Sequence, residues 1–313
     1  MLVRRDFLKK SSLLVAAGFS GINLFASERA KLRKTPSFRI SLNTSTIEPY
    51  KLPVTKQIEL CAETGFDGIE LWISDIQQYL NQGGKVSVLA GHIQSSGLKL
   101  ENMIGFAAWA SDDDTVRKKG QIQMKEEMEL TARLGGRYIA APVIGISKID
   151  GSKLEVYADR YRHILEEGEK IGITPLLELW GAGTLNKLSD ASHIAIGAAH
   201  KSANLLLDFY HLYRGNNSFD SLMMVNTSRM PLFHINDYPS TLKREQLSDS
   251  DRVYPGDGIC PFPSIIPELF ENGFRGAFSV ELFNKEYCSQ NTVQQVLLTS
   301  LNKTRKVIEA ALV

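Results

Sequence analysis

The sequence predicts an α/β protein folded as a single-domain (β/α)8 TIM barrel. Three observations predict it. Downstream of Pro36, eight short apolar runs rich in β-branched residues alternate with longer segments whose apolar residues recur at three and four, the pattern of parallel strands joined by crossover helices. Glycines close several of the helical segments just before a strand. Four successive strands carry an ionisable residue near their C-terminal ends, and barrel enzymes carry their chemistry at that C-terminal mouth. A doubly wound open sheet is the lesser alternative for the same alternation.

Taken in order, the expected strands are Phe38 to Leu42, Gly68 to Leu71, Leu98 to Ile104, Tyr138 to Ala141, Thr174 to Leu179, Leu205 to Phe209, Leu232 to Asn236 and Ala277 to Leu282. Between them lie amphipathic helices, among them Val54 to Thr64, Asp114 to Leu134, Leu154 to Ile171 and Val293 to Ala311. Gly65, Gly97, Gly135, Gly172 and Gly273 stand where a left-handed helix cap is easiest to form. Asp112-Asp113-Asp114 reads as the capped, solvated start of a helix. No low-complexity linker interrupts the series, so residues 35–313 are expected to form one domain. A length of 313 residues allows either two ordinary domains or one such barrel.

Residues 1–34 read as an export signal and leader. Arg4-Arg5-Asp6-Phe7-Leu8-Lys9-Lys10 precedes an apolar run from Leu13 to Ala26, the order of a basic region and a short hydrophobic region. The run is too short for an ordinary spanning helix, so no stable membrane span is expected. This segment resembles a twin-arginine signal, R-R-x-F-L-K. The resemblance implies export of an already folded protein to the periplasm or cell envelope.

Composition narrows the function classes. With 43% hydrophobic and 23% charged residues, the chain is neither a disordered tail, nor a collagen-like fibre, nor a polytopic membrane protein. The formal charge of +1 hides an asymmetry, because eight basic and two acidic residues give the leader +6 and leave −5 for the rest. Such a barrel is a poor nucleic-acid binder. The three cysteines lack the paired spacing of a thiolate metal site. Cys260 and Cys288 fall on neighbouring loops, where pairing in an oxidising compartment is an open alternative.

The strand ends carry the most specific signal. Glu178 ends the fifth expected strand, Asp208 the sixth and Glu281 the eighth, with His234 on the seventh. Each sits among apolar residues, where an unpaired charge would cost several kcal/mol. They must therefore neutralise one another or share a cation. Three carboxylates and an imidazole suit one divalent metal ion, Mn²⁺ ahead of Mg²⁺, Co²⁺ or Zn²⁺.

These residues, with Asp208-Phe209-Tyr210-His211 as D-x-x-H, Arg252 to Gly258 as R-x-x-P-G-x-G and Phe66-Asp67-Gly68-Ile69-Glu70-Leu71 at the second strand, resemble the xylose isomerase-like TIM barrels. That group holds ketose 3-epimerases, inosose dehydratases and isomerases, and endonuclease IV. The resemblance spans the barrel. It implies that Glu178, Asp208, His234 and Glu281 ligate one metal, that His211 and Arg252 hydrogen-bond substrate oxygens, and that Glu178 and Glu281 remove and return a proton. One stretch departs from the epimerases: Tyr238 to Asp251 is longer and strongly polar.

A metal holding two adjacent oxygens would stabilise the enediolate formed when a carboxylate takes the neighbouring carbon-bound proton. The expected function is an exported, metal-dependent carbohydrate isomerase or epimerase acting on a small, unphosphorylated sugar. The alternative within the fold is a lyase or dehydratase on keto-sugars or 3-keto-glycosides. A non-catalytic sugar-binding protein and an endonuclease IV-like nuclease rank below both. The nuclease needs three metals and further histidines, and the chain has only six. Trp72, Phe106, Trp109, Trp180 and Phe283 follow strand ends and could wall the site, Trp180 foremost. Glu70 is expected to bond a substrate hydroxyl or to cap the next helix, and Asp237 to orient Arg252 or a ligand. Pro255-Gly256-Asp257-Gly258 reads as a turn, since no P-loop lysine follows. The sequence leaves the oligomeric state open.

Overall fold

The computed structural model describes residues 37–313. The expected export signal, residues 1–34, lies outside the described residues. Eight parallel strands close in sequence order: β1 (Arg39–Asn43), β2 (Gly68–Trp72), β3 (Lys99–Ile104), β4 (Tyr138–Pro142), β5 (Thr174–Glu178), β6 (Leu205–Asp208), β7 (Leu232–Ile235) and β8 (Ala277–Val280). The barrel shuts where Arg39 to Leu42 pair with Ala277 to Val280. The open-sheet alternative is thereby excluded.

Among the described residues, ten α-helices accompany the strands: α1 (Val54–Thr64), α2 (Ile73–Asn81), α3 (Val86–Ser96), α4 (Asp114–Arg133), α5 (Leu154–Ile171), α6 (Leu188–Gly197), α7 (Phe209–Arg214), α8 (Phe262–Glu271), α9 (Lys285–Gln290) and α10 (Val293–Ala311). Their boundaries follow local chemistry. The five expected cap glycines all have positive φ, and the N–H of Gly172 returns to Gly168 and Glu169 to close α5. At the other end of α4, the Asp113 carboxylate accepts from the N–H groups of Thr115 and Val116.

Strands in such a barrel are buried on both faces, so they read as nearly continuous apolar runs. The period of two then decides what each face carries. Ala140, Leu176, Leu206, Leu232 and Ala277 form a separate apolar cluster with Ile104, a layer plugging the barrel interior. Two residues further along their strands on the same face come Glu178, Asp208, His234 and, after Ser279, Glu281. The polar site is thus the next layer above the plug.

The expected ends of β5 to β8 run one or two residues too far, whereas those of β1, β2 and β4 fall one residue short and that of β3 is met at Ile104. Phe209 belongs to α7, because Asp208 turns the chain by accepting from His211 N at 2.9 Å. The three cysteines are free and buried, so the Cys260–Cys288 pairing is not formed. Among the described residues, no helix is long and apolar enough to cross a membrane.

Candidate active site

Asp208, His234 and Glu281 offer ligand atoms that all lie within 4.8 Å of one another. His234 is fully buried, and its Nδ1 has no hydrogen-bond partner. That nitrogen stands 3.2 Å from Glu281 Oε2 and 3.7 Å from Asp208 Oδ2. A buried imidazole nitrogen left bare beside two carboxylate oxygens is a fitting donor set for a divalent cation. Glu178 stands outside this trio but lines the same cavity as Glu281.

Each ligand candidate is held from behind. Asn43, at the end of β1, donates to Glu281 Oε1 at 3.0 Å and accepts from the Trp72 indole at 2.9 Å. Asn236 donates to Asp208 Oδ2 at 2.9 Å and to the Glu281 carbonyl at 3.2 Å. Arg252, fully buried despite its charge, donates to Glu281 Oε2 at 2.8 Å and to His211 Nε2 at 3.0 Å. Since guanidinium only donates, His211 Nε2 must accept and its proton resides on Nδ1. That Nδ1 is buried and unpartnered. Tyr210 and Phe283 rings flank the Arg252 guanidinium, each 5.0 Å away.

The electrostatics separate the carboxyls. Burial pushes Glu178 up to about 8, with the Glu281 charge adding to the rise against the pull of His234. Burial also works against the Glu281 charge, but His234 and Arg252 outweigh it and hold its pKa below the ordinary carboxylate range. Burial lifts Asp208 to about 6 although Arg252 opposes the rise. Burial, reinforced by Arg252, keeps His211 neutral.

Above this layer opens a cavity of about 250 Å³, small-molecule in scale. Trp72, Phe106, Trp180 and Phe283 line it, linked ring to ring at 5.3 to 6.2 Å. Arg214 and Asp249 stand on its lining, 3.4 Å apart. The polar stretch from Tyr238 to Asp251 reaches the site as a strap across α7. The Tyr238 ring stacks on Tyr213 at 3.8 Å, Arg244 covers Tyr213 at 4.3 Å, and the Tyr210 hydroxyl donates to the Ser248 carbonyl.

His211, Arg252, Trp180, Glu178 and Glu281 therefore share one cavity. Glu70 does not line it: it is fully buried beneath, facing His234 and Asn102. Trp109 also stands away from the cavity, buried against Tyr161 with its indole donating to the Pro142 carbonyl at 2.9 Å. Asp237 touches neither Arg252's side chain nor a ligand candidate. Its carboxylate instead gathers the backbone N–H groups of the Pro255–Gly258 turn. Sequence reasoning missed Asn43, Asn102 and Asn236, although Asn43 ends β1, Asn236 directly follows β7 and Asn102 lies within β3. It also missed the Arg214–Asp249 pair, which meets only because the strap folds over α7.

Comparison with known proteins places the geometry in context. Residues 58–306 match the family described as xylose isomerase-like TIM barrel. Inosose isomerase from Bacillus velezensis is 25% identical over 261 residues, covering 81% of this chain and 91% of that protein. The 3-dehydro-D-guloside 4-epimerase of Escherichia coli is 22% identical over 240 residues, covering 71% of this chain and 84% of that enzyme. Among solved structures, an IOLI protein with a bound zinc atom superposes with a TM-score of 0.81 at 23% identity, over 88% of this chain and 99% of that one.

Proposed function

The chain belongs to the xylose isomerase-like TIM barrel family, and on that premise we propose that it is an exported, metal-dependent isomerase or epimerase of a small, unphosphorylated sugar. The observation that carries this reading is one cavity lined by two carboxyls, Glu178, which burial pushes up, and Glu281, which His234 and Arg252 hold down, beside the buried His234 Nδ1 that has no hydrogen-bond partner. Two carboxyls whose environments drive their protonation apart make an acid and a base. Relatives named as an isomerase and an epimerase support the same class.

Asp208, His234 and Glu281 would hold the ion, with Glu178 as a fourth ligand. A divalent ion there, Mn²⁺ by the oxygen-rich donor set or else Mg²⁺, Co²⁺ or Zn²⁺, would polarise adjacent substrate oxygens and acidify the C–H beside them. Glu281 would take that proton and Glu178 return one, from strands separated by β6 and β7. His211 would donate its Nδ1–H to a substrate oxygen, with Arg252 holding the ring in that tautomer. The aromatic wall would cover the C–H face of a sugar and keep water out. Arg214 and Arg252 are already paired with Asp249 and Glu281, which leaves no free guanidinium in the lining for a phosphate and supports an unphosphorylated substrate. Elimination from a keto-sugar is the second reading, since the same proton is removed first.

Turnover in D₂O tests the chemistry. Solvent deuterium should enter the carbon beside the carbonyl, or the broken C–H bond should show a primary isotope effect if a leaving group departs. Glu178→Gln and Glu281→Gln should each lower kcat by roughly 10² to 10⁴, with metal content measured in the same samples. Turnover with neither isotopic sign would overturn proton abstraction.

A further inference from the structure

We propose that Glu70 is a positioning residue: anchored by Asn102, it holds His234 through Nε2 so that Nδ1 points at Asp208 and Glu281, and in doing so sets the affinity of that trio for a divalent cation. The inference rests on the metal-site reading above and extends it to a residue that touches neither ion nor substrate.

Glu70 and His234 are both fully buried, 164 residues apart in sequence, with Oε2 3.2 Å from Nε2. The Asn102 side-chain amide donates to the same oxygen at 2.9 Å. A carboxyl sealed from solvent would cost several kcal/mol without partners. It has two, and both are on the barrel's inner face. The backbone is shaped for this contact. Along β2 and β3 the register runs Ile69 opposite Leu100 and then Glu70 opposite Asn102, so Glu101 is the extra residue of a bulge. Bulges re-aim side chains beside functional sites, and this one sets Asn102 directly across from Glu70.

The roles that sequence position suggests for Glu70 are closed to it. It does not line the cavity. The N-cap of α2 is Trp72, which makes no side-chain cap bond, so Glu70 caps nothing. What remains is its hold on the imidazole. With a carboxyl oxygen at Nε2, that nitrogen keeps a proton, and Nδ1 is the atom turned toward Asp208 and Glu281. A divalent cation bound among them would take the place of any proton on Nδ1, while Nε2–H stays on Glu70. Partners behind a ligating histidine fix its tautomer and raise its basicity, and losing one typically lowers metal affinity about 10- to 100-fold.

The test titrates metal-free, full-length protein with Zn²⁺ against a competing chelator, Zn²⁺ being diamagnetic and so compatible with NMR of the imidazole. Glu70→Ala should weaken Zn²⁺ binding about 10- to 100-fold. Glu70→Gln, whose carbonyl still accepts from Nε2–H, should recover part of that loss. Asn102→Ala should shift affinity the same way by less. In ¹H–¹⁵N spectra the wild type should show a slowly exchanging His234 Nε2–H with and without Zn²⁺, absent in Glu70→Ala and kept in Glu70→Gln. Circular dichroism and Tm serve as controls, since a merely structural role moves Tm and leaves the folded variant's affinity and its Nε2–H alone. Zn²⁺ affinity of Glu70→Ala within twofold of wild type, or a protected Nε2–H in that variant, overturns the proposal. If Glu70→Ala does not fold, unchanged Zn²⁺ affinity in Asn102→Ala overturns it. Wild-type protein that binds no Zn²⁺, Mn²⁺ or Mg²⁺ would sink the metal-site reading separately, and the Nε2–H comparison would still decide whether Glu70 holds the ring.

Discussion

Asp237 shows how a single residue can carry the right chemistry for one role and perform another. Its carboxylate accepts from the backbone N–H groups of Tyr238 at 2.8 Å, Gly256 and Gly258 at 3.0 Å, and Cys260 at 2.9 Å. Its own backbone pairs with Val253 in an antiparallel bridge. Asp237 therefore orders the returning chain that delivers Arg252, and reaches the site only through it. The approach is tight enough that a Cβ on Gly258 would lie 2.2 Å from the Tyr238 carbonyl. Asp237→Ala would leave the buried N–H groups of Tyr238 and Cys260 without an acceptor, each costing about 1 to 3 kcal/mol. We expect a loss of at least about 2 kcal/mol in denaturant unfolding, and a loss below 1 would show that the turn holds itself. An acid just past a strand end reads equally well as ligand, orienter or clamp. The choice lies with partners some twenty residues downstream, which no local pattern announces. The placement of Glu178, Asp208, His234 and Glu281 at the barrel mouth was legible because four neighbouring strands repeat the same feature, and repetition is visible in a sequence where a single contact is not.

At the scale of elements, strands and long helices were readable because burial on both faces and the 3.6 period leave strong marks. The long helices end where expected, Val54–Thr64, Leu154–Ile171 and Val293–Ala311 among them, but the ends of β5 to β8 were not readable, because a functional side chain such as Asp208 doubles as the cap of the helix that follows. Helix α4 carries a mark of another kind. Glu127 lies on its inner face, 4% exposed, with Oε1 accepting from Gln123 at 2.8 Å and Oε2 unpartnered. Burial raises its pKa although Gln123 opposes the rise. In the unfolded chain the group ionises in the ordinary carboxyl range, whereas in the fold it keeps its proton to higher pH. The folded state thus binds the extra proton, and stability falls as pH climbs through that window. Glu127→Gln removes the ionisation while keeping the shape. Its stability should match the wild type at acid pH and exceed it increasingly toward neutral and alkaline pH. Parallel Tm-against-pH curves for the two proteins would show that Glu127 ionises in the fold as it does outside it.

The whole molecule sets a condition on how this protein could be exported. The site exists only in the closed barrel: the Asn43–Glu281 bond spans 238 residues and the first strand pairs with the last. Contacts of such separation form late, after the loop-closure cost of the entire chain has been met. A route that carries the folded barrel would deliver it with Asp208, His234 and Glu281 already assembled and able to keep an ion chosen in the cytoplasm. A route that threads an unfolded chain would leave metal selection to the envelope, where the trio must compete for whatever divalent ion is abundant. The paired Arg4 and Arg5 ahead of the apolar run favour the first route. Guanidinium and ammonium differ in geometry and hydration, so a translocase that recognises the arginine pair should reject a conservative Lys pair. Changing Arg4 and Arg5 together to Lys should therefore trap folded barrel in the cytoplasm, as read by fractionation and by protease resistance of the retained protein. Undiminished delivery of that double variant to the envelope would rule out an arginine-pair signal and shift the choice of ion to the destination compartment.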